Sequence, residues 1–445
     1  MSQFLASLES AVAAASSFVW GPPLLIALGG LHVFLTFRLG FIQRRLGTMI
    51  RLSVARDSSG SGDVSHWGAL ATALAATVGT GNIVGVATAL ALGGPGALLW
   101  MWLTGGFGIA TKYAEAFIAV KHRVRNPDGT HAGGAMYVLR DALKMPRLAA
   151  VFAALVGIAA FGIGNMVQAH SISSFTTERL GLPGWQTGLV LAVLTSLVVF
   201  GGIRSIARVC VLLVPLMIIG YLGGCLALLV KYADRLPDAL SLVFSSAFSG
   251  HAAVGGFIGA GVAQAIRYGV ARGLFSNESG MGSAPIVSAA ARTADPVRQA
   301  LVAASATFWD TVVVCACTGL ALLVTGEWQG GAKGAALTAA SFSHLGAWGP
   351  WFLYIALFTF CFSTILGWAY YGERGVEYLF GQRSLRPYRA LWVIATFVGA
   401  SLSLQLVWDF ADMANGLMVI PNLIALLLLH NQIATDTRAY FAKKS

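Results

Sequence analysis

Apolar residues in this chain come neither in the alternation of strands nor in the one-sided stripe of surface helices. They come in runs as long as a bilayer is thick. A helix needs about 20 apolar residues to cross the hydrocarbon, and about eleven such runs can be placed. They fall at residues 18–39, 67–92, 97–120, 148–175, 185–200, 207–232, a discontinuous span over 256–292, then 299–325, 351–371, 391–407 and 412–429. Residues 1–17 read as a short interfacial helix, and 240–255 as a helical segment on the outer side.

Two runs are interrupted by small polar residues and glycine. The second carries Thr77-Val78-Gly79-Thr80-Gly81-Asn82; the seventh carries Phe275-Ser276-Asn277-Glu278-Ser279-Gly280-Met281-Gly282-Ser283, and a short helix to Arg292 is expected to finish that crossing. Glycine costs about 1 kcal/mol against alanine inside a helix, and backbone groups freed in hydrocarbon need other partners. The two breaks lie five spans apart. An odd repeat turns the second set of five upside down relative to the first, and paired breaks in inverted halves mark a secondary transporter's site. A half-helix starting near Gly81 aims unpaired amides at the membrane centre, which suits a carboxylate. The half ending near Val78 presents unpaired carbonyls, which suit Na⁺ or an ammonium group. That polarity fits a small amino acid better than a sugar.

Composition supports the same class. Hydrophobic residues make up 57% of the 445 and charged ones 11%, with a mean hydropathy of +0.74. The net charge of +11 does not point to nucleic acid, because Lys and Arg gather in short loops on alternate sides of the runs. If the N-terminus is outside and the C-terminus cytoplasmic, only Arg179, Lys231, Arg235 and Lys333 of the 29 basic residues fall in outer loops, with Arg267 and Arg272 assigned to neither side. No basic stretch precedes the first apolar residues, so a cleaved signal peptide is not expected. The five cysteines lie in apolar runs without CxxC spacing, and the histidines form no HExxH. Neither metalloenzyme chemistry nor a nucleophile–base pair is legible, and the chain is not read as an enzyme. Gly79-Thr80-Gly81 lacks the strand that a nucleotide-binding turn requires.

Ionisable and amide side chains inside the runs are functional candidates by default. Lys112 and Glu115 stand three apart on one helix face and read as a structural ion pair. Gln168, Asp310 and Thr311 are also mid-span, and Glu278 is expected to pair with an intramembrane arginine such as Arg272.

Four stretches carry a resemblance. Ala75 to Thr88, Gly105 to Glu115, Arg272 to Pro285, and Asn415-Gly416-Leu417-Met418 with Pro421-Asn422 resemble the signatures of the alanine or glycine:cation symporter family, within the amino acid–polyamine–cation transporters. The resemblance runs through nearly the whole chain. It implies an all-α polytopic membrane protein of about eleven helices, with the leucine-transporter-like 5+5 inverted repeat and one extra N-terminal helix. The organisation expected is an N-terminal part over 1–62, a first five-helix repeat over 63–235, a second inverted repeat over 236–432 and a cytoplasmic tail over 433–445. It also implies sodium-coupled uptake of alanine or glycine across a bacterial or archaeal cytoplasmic membrane, with no obligate protein partner. A proton-coupled or exchanging permease of the same fold is the alternative, with Glu278, Asp310 and His170 as its candidates. Ala135 in Gly133-Gly134-Ala135-Met136-Tyr137 departs from the family's proline, and His170 stands where asparagine is expected.

Roles follow for single residues. Thr80 and Gly81 are assigned to the substrate carboxylate through their backbone amides, with Gly79 and Asn82 shaping the turn or contributing a carbonyl or amide to the substrate. Gln168, Phe275, Ser276 and Asn277 are placed at the pocket, Asn277 toward the ammonium. Ser363 and Thr364 resemble the hydroxyl pair of the family's sodium site, completed by the carbonyls of Ala75, Val78 and Phe360. Trp368, one turn beyond Thr364, is expected to face the substrate and limit its size. Thr77, Glu278 and Asp310 are left without a fixed role.

Overall fold

The protein is described by a computed structural model over residues 2–55, 60–248, 261–402 and 405–443. It is almost entirely helical. The helices that position the site are α1 (Ser2–Val19), α2 (Pro22–Arg38), α3 (His66–Thr77), α4 (Gly81–Gly93), α5 (Gly96–Lys121), α6 (Pro146–Leu180), α7 (Gly184–Val199), α8 (Gly202–Lys231), α9 (Val262–Asn277), α10 (Pro296–Thr325), α11 (Gly349–Phe380), α12 (Leu385–Ser401) and α13 (Gln405–Ala442). Among the described residues six helices are long and apolar enough to cross a membrane, or seven with α3 and α4 counted as one bent span.

The surface pattern is that of a protein solvated by lipid. Leu212, Leu216, Ile219 and Leu226 lie exposed on α8, whereas Met217, Tyr221 and Cys225 on its other face are buried. Buried polar residues are correspondingly concentrated where α3, α4, α6, α9, α10 and α11 converge. That convergence is the centre of the molecule.

The N-terminal segment expected at the interface is helical, and the chain turns at Trp20-Gly21 before α2. Pro22 takes the first position of α2, where its missing N–H costs nothing. The Trp20 indole donates to the Asp412 carbonyl at 2.9 Å and ties this turn to α13. The outer segment expected at 240–255 begins as the helix Leu236–Phe248; the rest of it, and the start of the seventh span at 256, lie outside the described residues.

The expected second half-helix after the second break is corrected. Only one turn forms, Pro285–Ser288, and the chain then runs extended, with bridges from Ser61 to Thr293 and from Val64 to Ala291. The carbonyls of this extended stretch find donors within the protein. Arg123 supplies donors: its guanidinium reaches the carbonyls of Ala289 at 3.1 Å, Ala291 at 2.7 Å, Ser61 at 2.9 Å and Thr293 at 2.9 Å. One arginine thus laces together the segment before α3 and the segment before α10. Nearby, Glu373 accepts from Arg374 at 2.7 Å and from Arg389 at 2.6 Å, joining α11 to α12.

Candidate functional site

The first break is built by its own residues. α3 ends at Thr77; Val78 is extended, and α4 leaves at 50° to α3. Asn82 Oδ1 accepts from the Gly79 amide at 2.9 Å, and the Asn82 amide donates to the Gly79 carbonyl at 3.2 Å. Asn82 therefore shapes the turn. Thr80 and Gly81 stand at the start of α4, where amides have no acceptor within the helix and the helix dipole favours an anion.

Crowding excludes a side chain at Gly79 unless Thr364 shifts, and leaves little room for one at Gly81. A Cβ on Gly79 would lie 2.5 Å from Thr364 Oγ1, and one on Gly81 would lie 3.2 Å from Ser276 Cα. The first break is pressed between α11 and the second break.

A small cavity sits against this turn. It is lined by Ala76, Thr77, Gly79, Thr80, Gly81, Ile163, Gln168, Phe275, Glu278, Thr364 and Trp368. Gln168 Nε2 donates to Thr80 Oγ1 at 3.2 Å and to the Ile163 carbonyl at 3.0 Å, while its buried Oε1 has no hydrogen-bond partner among the described residues. That oxygen is an acceptor free to meet an ammonium group. Trp368 is buried mid-helix, so it is no interfacial belt residue. Its ring lies over Gly164, where any side chain would overlap it, and the indole donates to Glu278 Oε1 at 3.0 Å.

The five oxygen donors expected for sodium converge. Ser363 Oγ donates to the Phe360 carbonyl at 2.8 Å and the Ala75 carbonyl at 3.2 Å. Thr364 Oγ1 reaches the carbonyls of Phe360 at 3.0 Å, Ala75 at 3.2 Å and Val78 at 3.4 Å. All five residues are buried. Neutral, hard oxygens around one point, with no nitrogen or sulfur, suit an alkali cation and not a transition metal.

Several placements differ from the sequence reading. Ser276 and Asn277 do not line the cavity, and Asn82 shapes the turn as expected without reaching the cavity. Asn82 Nδ2 donates to Asp310 Oδ1 at 2.9 Å, Ser276 Oγ to Asp310 Oδ2 at 2.8 Å, and Thr311 Oγ1 to Asp310 Oδ2 at 2.7 Å. Asp310, which had no legible partner, is thus the acceptor joining both breaks to α10. Asn277 turns away to Thr311 Oγ1 at 3.1 Å and accepts from the Ser279 amide at 2.9 Å. It caps the second break and does not point at the cavity.

Glu278 does not pair with Arg272. It sits in a left-handed conformation, φ 55°, that swings its carboxylate to Trp368 and to Ser283 Oγ at 2.5 Å, while Arg272 lies over the Phe275 ring. His170 faces away from the cavity and meets Ser174 at 3.2 Å. Lys112 and Glu115 make no direct ion pair.

Ile163 and Gly164 were missed because they belong to a π-helical stretch, Ala160–Met166, that widens α6 just before Gln168. Two more such stretches, Gly81–Gly85 and Phe308–Cys315, flank the first break and carry Asp310. π-bulges gather at functional sites, but apolar periodicity does not register them. The Gly162-Ile163-Gly164 pair was the one visible signal.

The sequence matches the sodium:alanine symporter family over residues 5–445. It is 48% identical to the sodium/alanine symporter AgcS of Methanococcus maripaludis, covering 97% of each chain. It is 37% identical to a Bacillus subtilis protein named a probable sodium/glutamine symporter, GlnT, covering 98% of this chain and 91% of that one. In fold it resembles the crystal structure of MhsT in complex with L-phenylalanine, with a TM-score of 0.59 at 15% identity, over 84% of this chain and 90% of that one. The likeness to MhsT is one of architecture, the leucine-transporter-like arrangement expected from the two breaks.

The Asp310 junction makes a direct prediction. Asp310→Ala leaves the donors of Ser276 and Thr311 buried without that acceptor and should cost about 3 kcal/mol. A clear fall in the thermal unfolding midpoint of the purified protein is expected. An unchanged midpoint would mean that the two breaks are held together without it.

Proposed function

The chain belongs to the sodium:alanine symporter family, and we propose that it carries alanine or glycine into the cell together with Na⁺, by alternating access about the two breaks. The observation that carries this reading is a shared stretch of backbone. The carbonyls of Ala75 and Val78 point into the Ser363–Thr364 cage, while the amides of Thr80 and Gly81 follow within the same turn.

On this reading the substrate carboxylate takes the Thr80 and Gly81 amides, and its ammonium group meets Gln168 Oε1. The side chain lies between Phe275 and Trp368. Na⁺, held by Ala75, Val78, Phe360, Ser363 and Thr364, fixes the end of α3 and so orders the amides that follow. Each ligand thereby favours the other, which is the content of coupling. A relative is named for glutamine; here Trp368, seated on Gly164 and held by Glu278, favours the smaller end of the range.

The two halves that would move against each other are 63–235 and 236–432. The bias of basic residues favours an outer N-terminus and a cytoplasmic C-terminus.

In proteoliposomes, labelled alanine should accumulate under an inward Na⁺ gradient, and replacing Ser363 and Thr364 by alanine should weaken that dependence about tenfold or more. Equal uptake with Na⁺ replaced by K⁺ would overturn the ion assignment. Trp368→Ala should admit larger neutral amino acids as competitors; an unchanged substrate range would remove Trp368 from the pocket.

A further inference from the structure

Lys112 is 1% exposed in the middle of α5, and its Nζ has no hydrogen-bond partner among the described residues. The neighbour one turn on, Glu115, is spent elsewhere. Its Oε1 accepts from the Gly282 amide at 2.8 Å and from Asn422 Nδ2 at 2.6 Å, and Asn422 also holds the Gly280 carbonyl at 2.9 Å. Glu115 therefore pins the second break to α13, and its other oxygen, like His32 Nε2, is buried without a hydrogen-bond partner among the described residues. His32 on α2 is held by Thr111 at 2.7 Å, next to Lys112.

The lysine is surrounded by acid. Without touching them, it interacts electrostatically with Glu115 on its own helix, Glu278 in the second break and Asp310 on α10, and one turn earlier α5 packs on that break, where a Cβ on Gly108 would lie 3.0 Å from Ser279 Oγ. The two breaks are unlike in this respect. The first offers neutral oxygens to a cation from solution, whereas the second contains the Glu278 carboxylate and is fastened by Glu115 and Asp310, with an ammonium group of the chain in their field. A buried carboxylate without a counter-charge costs several kcal/mol, and a second mobile cation beside Lys112 would be repelled.

We propose that Lys112 is a tethered cation for the second break, supplying there the charge that Na⁺ supplies at the first, so that one Na⁺ accompanies each substrate molecule. The inference rests on the symport reading above. It makes Lys112 a positioning residue that acts through space on Glu278, and through the Glu278 Oε1 acceptor on the Trp368 ring.

The test is sodium-dependent alanine uptake by the full-length protein in proteoliposomes, together with thermal unfolding of the same preparations. Wild type should respond to Na⁺ with a Hill coefficient of about 1. Lys112→Met should lose roughly a hundredfold in uptake, the scale of an uncompensated buried charge. The double variant Lys112→Met with Glu278→Gln removes both charges and should recover at least about tenfold over Lys112→Met, with a higher unfolding midpoint. A wild-type Hill coefficient near 2, a Lys112→Met protein with wild-type uptake, or a double variant no better than the single one overturns the proposal. Wild-type uptake indifferent to Na⁺ counts instead against the symport reading, and the pairing of Lys112 with Glu278 is then judged from the unfolding midpoints of the same variants.

Discussion

Two helices reach backbone contact only where side chains are absent from the crossing, and α11 meets the end of α3 at such a point. A Cβ on Gly367 would lie 2.7 Å from Ala76 Cβ, and one on Gly79 would lie 2.5 Å from Thr364 Oγ1. This approach brings the Ser363 and Thr364 hydroxyls to carbonyls that α3 has left without helical partners. With one methylene more at either glycine the cage would not close. The site therefore depends on what α11 and α3 lack as much as on what they carry.

A second constraint is electrostatic. Asp310 collects donors from Asn82 in the first break, Ser276 in the second and Thr311 on its own helix. Glu115 collects donors from Gly282 and Asn422. Each carboxylate is buried in a region that water does not solvate, and each is used to fasten an interrupted backbone. Burial of a carboxylate is tolerated when its oxygens are filled by donors. At Asp310 the donors include side chains of both broken segments, so order in one break requires order in the other.

The helical membrane architecture and both breaks were legible because they rest on run length and on glycine, which the bilayer and the helix penalise strongly. The convergence of Ala75, Val78, Phe360, Ser363 and Thr364 was legible through resemblance, since the residues are distant in sequence. What stayed hidden depends on local backbone form. The π stretches at Ala160–Met166 and Phe308–Cys315 rotate Gln168 and Asp310 relative to a regular helix. The positive φ of Glu278 sends its carboxylate to Trp368 and not to Arg272. Asn277 was misplaced for the same reason: next to a left-handed residue it caps the chain at Ser279 and does not face the cavity. A sequence read by helical periodicity assumes that the helix is continuous, and that assumption fails at the residues that make the site.

The central claim is that substrate and sodium are bound by one turn of backbone and so by one equilibrium. It is tested most directly by binding, without transport: alanine affinity of the purified protein measured over a range of Na⁺, and Na⁺ affinity measured over a range of alanine. The account predicts that Na⁺ tightens alanine binding and that alanine tightens Na⁺ binding by the same factor, as reciprocity requires. An alanine affinity that is identical with Na⁺ and with K⁺ would contradict it.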